Sequence, residues 1–267
     1  PAIRDGGSEL AAFLSRKKGW DRPGDPATIA DCICDHIENG ILRQVYEGVK
    51  KAQIRGNNGM HQSALALAAV VLDEEGTTQE WLNFVFRDGE TLPPSRGGWA
   101  VTGGDVGRSL VRDVDRDGFG NEASPMYNYL WVETFKQLAD ILHGYDRYPQ
   151  GDLYEHPRFR QMLRAPAALI MADKYVPNIG DCDSAGKPGR IARPETMASA
   201  FARTNDPLLA RIAYQLNGNR TEGLTTDIFD PDPQRLQARI EQAVREHGPL
   251  PSRSVHLGGY GFAALRD

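Results

Sequence analysis

The chain has 267 residues, 40% of them hydrophobic, enough for one large domain or two modest ones. Its net charge of −5, with 31 basic and 36 acidic residues mixed along the chain, excludes the basic stripe of a nucleic-acid binder. No stretch reaches the ~18–20 apolar residues of a membrane span, so neither nucleic acid nor a membrane is expected as a partner. Three cysteines, Cys32, Cys34 and Cys182, give an odd count with neither a disulfide framework nor metal-ligand spacing.

Helical periodicity dominates. Residues 8–18 open with Ser8 as an N-cap, followed by Leu10, Phe13 and Leu14 at helical spacing. Residues 27–52 carry Ile29, Ile33, Ile37, Ile41, Val45 and Val49, an apolar repeat that predicts one buried face. Residues 60–73, MHQSALALAAVVLD, are apolar enough to predict a helix buried nearly all round. Further helices are predicted over 78–87, 126–143, 157–174, 195–202, 206–216 and 232–247. Residues 88–125 and 176–194 read as long irregular segments, and loops of that length in a compact domain are usually functional or disordered. The tail from Val255 to Leu265 reads as a strand interrupted by glycines, after a linker at 249–251. Both ends look cut, as in a piece of a longer protein. The expected organisation is a helical domain over 1–250 and the start of a β domain over 251–267.

Three stretches could carry chemistry. GNNGMHQ, residues 56–62, sets Asn57, Asn58, His61 and Gln62 around the start of the buried helix. Unpaired N–H groups and a partial positive charge there favour anions and keep His61 neutral. The plainer alternative makes Asn57 or Asn58 an N-cap. Asp113, Asp115, Asp117 and Gly118 match the first positions of a calcium loop. Gly120 and Ser124 at its eighth and twelfth positions exclude an EF-hand, which leaves a looser calcium loop or a solvated acid cluster. In EASPMYNY, Ser124-Pro125 is a helix start that places Tyr127 in the first turn, beside the loop.

Taken in order, GNNGMHQ, DGFGNEASPMYNY, PNIGDCDS and GGYGFAALRD resemble the heparinase II/III-like polysaccharide lyases and the related alginate lyases, from about residue 30 onward. The resemblance implies an all-α fold, an incomplete α/α toroid of helical hairpins, followed by the first strand of a truncated β-sandwich. It implies β-elimination on an anionic uronic-acid polysaccharide, with Asn57 or Asn58 and His61 facing the uronate carboxylate and Tyr127 transferring the proton. Asp181 and Asp183 would belong to a structural loop. Asn128 stands where relatives often carry His. The resemblance also implies a periplasmic or extracellular location and a partner β domain in the same chain.

The chemistry needs such residues. Removing the C5 proton beside a carboxylate requires charge to be drawn into that carboxyl group, which aimed donors accomplish. A tyrosine is a serviceable acid for the departing sugar oxygen. Arg96, Arg112 and Arg116 are candidates to lower its pKa. Gln62, Arg96, Trp99 and Tyr129 are expected substrate contacts, Trp99 by stacking on a sugar ring. No cofactor is required, and a structural Ca2+ at Asp113, Asp115 and Asp117 stays open. Two alternatives remain at this stage. One is an α/α-barrel glycoside hydrolase using Asp117, Glu122 or Asp181. The other is a non-catalytic carbohydrate-binding scaffold with a calcium loop.

Overall fold

The computed structural model describes residues 26–95, 98–182, 192–227 and 229–266, together with residues 9, 12, 13, 16 and 189. The expected Ser8 cap with Leu10 and Leu14 lies outside the described residues, as do Arg96 and Asp183. The described chain is mostly helical, with two small two-stranded sheets.

The stretch expected as one helix over 27–52 is α1 (Pro26–Ile37), a π-helical stretch (Glu38–Leu42) and α2 (Arg43–Lys50). Apolar residues every four positions drift about 40° per step around an α-helix. The wider π turn takes up part of this drift. The buried face still rotates away: Ile41 is 52% exposed while Val49 is buried.

Helix α3 (Met60–Leu72) packs against α4 (Thr77–Phe86) as a hairpin and against α6 (Pro125–Leu142). Leu65, Ala66 and Ala69 of α3 join Leu82, Val85, Phe135 and Leu138 in the core. Burial nearly all round does not hold for α3, because Leu67 and Val71 are half exposed along one stripe. The segment 88–125 is more ordered than its glycines suggested. It contains the antiparallel pair β1 (Thr91–Ser95) and β2 (Gly98–Val101), then α5 (Val106–Arg112). Val106 and Leu110, one helical turn apart, carry α5 into the core.

Proline sets many helix starts. Pro125, Pro157, Pro194, Pro207 and Pro233 each occupy the first turn, where the missing N–H costs nothing. The expected helix over 157–174 is therefore broken into α7 (Pro157–Arg164) and α8 (Pro166–Leu169), since Pro166 cannot continue α7. α9 (Pro194–Thr204), α10 (Pro207–Leu216) and α11 (Pro233–His247) pack in sequence, α9 on α10 and α10 on α11. Lys136 of α6 donates to Asp140 at 2.6 Å and to Ser199 of α9 at 3.1 Å, tying the two halves together.

The tail expected as one strand is a hairpin, β3 (Val255–Leu257) and β4 (Phe262–Ala264). The turn falls at Gly258–Gly261, where Gly261 takes φ +76. Tyr260 stacks on Phe119, with ring centroids 4.4 Å apart, and its hydroxyl donates to the Ala123 carbonyl at 2.7 Å. The hairpin thus sits on the acid-rich loop.

Candidate functional site

The GNNGMHQ loop is fastened to α6. Gly59, not an asparagine, is the N-cap of α3, with φ +96. A Cβ there would lie 2.6–2.8 Å from Thr134 of α6, so only glycine fits. Thr134 Oγ1 donates to the Asn58 carbonyl at 2.6 Å, and Ser63 Oγ donates to the Gly59 carbonyl at 2.6 Å. The Gln62 amide accepts from the Gly59 N–H at 2.9 Å and donates to the Gly104 carbonyl at 2.8 Å. Gln62 is buried with both ends of its amide bonded to backbone, so it holds the loop in place.

This fastening brings Asn57 beside α6. Ser124 precedes Pro125 in extended conformation, and the helix turns Met126, Leu130 and Glu133 to one side. Asn57, Tyr127 and that side of α6 form one wall of a cleft of about 1280 Å3. The facing wall comes from the turn at Ala172–Lys174, the start of α9 around Arg193, and the end of α10 with the Asn217–Arg220 turn. Tyr127 is 38% exposed and lines the cleft.

A polar chain on the same cleft starts at Tyr129. Tyr129 donates to Glu133, the Arg193 N–H donates to the Tyr129 hydroxyl at 3.0 Å, and Thr196 donates to Glu133 at 2.8 Å. Burial, reinforced by Glu133, raises the Tyr129 pKa far above the ordinary phenol value. Tyr129 therefore stays protonated and lines the cleft with a committed hydroxyl. Lys174, Arg193 and Arg220 bring positive charge to the cleft, while Glu133, Asp173, Asp181 and Glu195 bring negative charge.

The expected cluster divides at the loop. Asn57 faces the large cleft, whereas Asn58, His61 and Gln62 line a second cleft of about 300 Å3 with Arg55, Asp105 and Arg108. Thr134 holds the Asn58 carbonyl and Gln62 holds the Gly59 N–H, which fixes the loop with its neighbouring asparagines on different clefts. Burial, then the charge of Arg55, lowers the His61 pKa below its ordinary value. His61 is neutral as expected, though from burial and Arg55.

The acid loop is built on protein contacts. Arg112 chelates Asp113, with Nε at 2.6 Å and Nη2 at 2.9 Å. Asp115 accepts from the Asp117 and Phe119 N–H groups at 2.7 and 3.0 Å. Asp117 accepts from the Gly259 and Tyr260 N–H groups at 2.6 and 3.2 Å. Among the described residues, no group of three His, Cys, Asp or Glu could hold a metal ion. In this structure the carboxylates of Asp113, Asp115 and Asp117 are engaged by one guanidinium and by backbone donors. Trp99 lies on β2, 46% exposed, and does not line the large cleft. Asn128, buried under the Ser124 turn, donates to the Glu122 and Ser124 carbonyls at 2.6 and 3.2 Å.

Glu133, Lys174, Arg193 and Arg220 were missed from sequence. Glu133 had a signal, two turns beyond Met126 on a helix whose start was legible. The three cations come from separate segments and have none. Comparison of the chain with protein-family models, curated proteins and solved structures finds no match in any of the three.

Proposed function

We propose that this chain is the helical part of a lyase that cleaves a uronic-acid glycan by β-elimination, its hairpins forming part of an α/α toroid. The observation that supports this reading most directly is that Asn57 and Tyr127, from separate elements, line one large cleft with Arg193. In the proposed reaction a carboxylate of the same cleft, Asp173, Asp181 or Glu195, takes the C5 proton, and the Asn57 amide donates to the uronate carboxylate and stabilises the charge that develops there. The Tyr127 hydroxyl protonates the departing O4 oxygen, and the sugar on the other side keeps a new C4–C5 double bond. Lys174, Arg193 and Arg220 hold the acidic chain. The test is a panel of uronic polysaccharides followed in the near ultraviolet, where the unsaturated product absorbs. Tyr127→Phe is expected to lower the rate about 10²–10⁴-fold.

One observation favours a second reading. Four carboxylates, Glu133, Asp173, Asp181 and Glu195, line the same cleft, and a glycoside hydrolase needs two of them roughly 5–9.5 Å apart. New reducing ends without ultraviolet absorbance would select hydrolysis and overturn the lyase reading. Asp117 and Glu122 do not line the cleft and drop out of that role.

A further inference from the structure

The second cleft, behind the Asn57–Asn58 loop, has chemistry of its own. Three side-chain atoms that the protein buries without a hydrogen-bond partner meet there: His61 Nδ1, Asp105 Oδ1 and Arg108 Nε. The last two are 2.9 Å apart, close enough for an ion pair but not aligned as a hydrogen bond. Asp105 and Arg108 offset each other as an ion pair, whereas His61 Nδ1 has no partner; buried polar atoms in folded proteins are almost always paired, so this nitrogen points to a polar occupant of the cleft. Arg55 and Arg112 line the same cleft, and Arg55 has no carboxylate partner among the described residues. Glu90 and Asp105 supply acceptors in the same cleft.

That mixture selects a class of ligand. A compact inorganic anion would satisfy the arginines but would meet Glu90 and Asp105 as like charges. A neutral sugar would satisfy the carboxylates and leave Arg55 unpaired. A molecule with one carboxylate and several hydroxyl groups satisfies both sides: its carboxylate pairs with Arg55, and its hydroxyls donate to Asp105, Glu90 and neutral His61. A volume of about 300 Å3 is at the lower end for small-molecule pockets and suits one sugar ring.

We infer that the Arg55–His61–Asp105 cleft is a binding site for a single sugar acid, separate from the large cleft. The inference rests on the groups of this cleft and not on the lyase reading, so failure of the ultraviolet assay leaves it standing. The chemistry is shared by a free hexuronate and by the end unit of an acidic glycan.

The test is nuclear magnetic resonance of the histidine imidazoles in the whole protein, with the His61 signal assigned by its loss in His61→Gln. D-glucuronate, a uronate tetrasaccharide, D-glucose and inorganic phosphate are titrated separately, in the parent protein and in Tyr127→Phe. A saturable shift of the His61 signal with glucuronate or the tetrasaccharide, present in both proteins, supports the site. Response to glucuronate assigns it to the free acid, and response to the tetrasaccharide alone assigns it to a chain end. Arg55→Ala, a change at an exposed residue, is expected to weaken the binding at least tenfold. The inference is overturned by no shift with either acid, by an equal shift with phosphate or glucose, or by an unchanged affinity in a folded Arg55→Ala protein.

Discussion

Single residues carry the sharpest demands. Gly59 combines φ +96 with a missing side chain that would strike Thr134. Gly59→Ala adds backbone strain to overpacking and is expected to cost about 3 kcal/mol. At roughly 2–4 °C per kcal/mol for a chain near this size, thermal denaturation would show a clear fall in Tm. Asn57→Ala removes one donor and leaves the fold untouched, because the Asn57 side chain is exposed. Its expected signature in the proposed reaction is a loss of about 10²–10³ in kcat with unchanged Tm. His61 titrates in the opposite sense to a paired histidine. Its folded pKa is depressed, so the unfolded chain binds more protons once pH falls below the ordinary value of 6.5. Stability is therefore lost on acidification through that window. The melting temperature should fall from pH 7 toward pH 5, and fall less in His61→Gln. His156, also depressed by burial and by Arg158, adds to the slope in the same sense. An equal slope in parent and variant would show that His61 is not protonated differently in the two states.

At the scale of elements, helix starts were the legible part. Ser124-Pro125 announces α6, Asp206-Pro207 announces α10 and Asp232-Pro233 announces α11, each through the same physics of a capping position and a fixed φ. Pro166 spoke as plainly, and the break it imposes at the end of α7 was readable in the same terms. The β1–β2 pair was hidden because Pro93 and Pro94 and a bulge between Leu92 and Ser95 disguise any alternation. α5 has seven residues, too short to display a period, and is held by the core that Val106 and Leu110 enter. Of the candidate site, Tyr127 and Asn57 were legible because each sits at a marked helix start. The division between Asn57 and Asn58 was not. The loop is fixed by the bond from Thr134 to the Asn58 carbonyl, a contact between residues far apart in sequence. Lys174, Arg193 and Arg220 reach the cleft by packing alone.

For the molecule as a whole, the question is what joins the tail to the helices. The β3–β4 hairpin has few residues and buries only Leu257 well, so it is not stable alone. Its anchors are specific. Asp117 holds two consecutive N–H groups at its turn, Tyr260 stacks on Phe119, and Arg266 donates to the Ala168 and Ile170 carbonyls at 2.7 and 3.1 Å. The loop from Asp113 to Phe119 therefore acts as a clasp between the tail and the helical body, and carboxylates serve it because an ionised acceptor binds backbone donors strongly. Two outcomes separate a clasp of this kind from a metal-held loop. A chelator should leave the melting temperature unchanged, since protein donors already occupy Asp115 and Asp117. Asp117→Ala should free the turn, at a cost of about 1–3 kcal/mol for the unpaired donors, and expose residues 249–254 to limited proteolysis while the helical core stays folded. Asp117→Asn keeps one carbonyl acceptor and should fall between the two. A chelator-sensitive Tm, or a tail equally resistant in Asp117→Ala, would place the hold on the hairpin elsewhere.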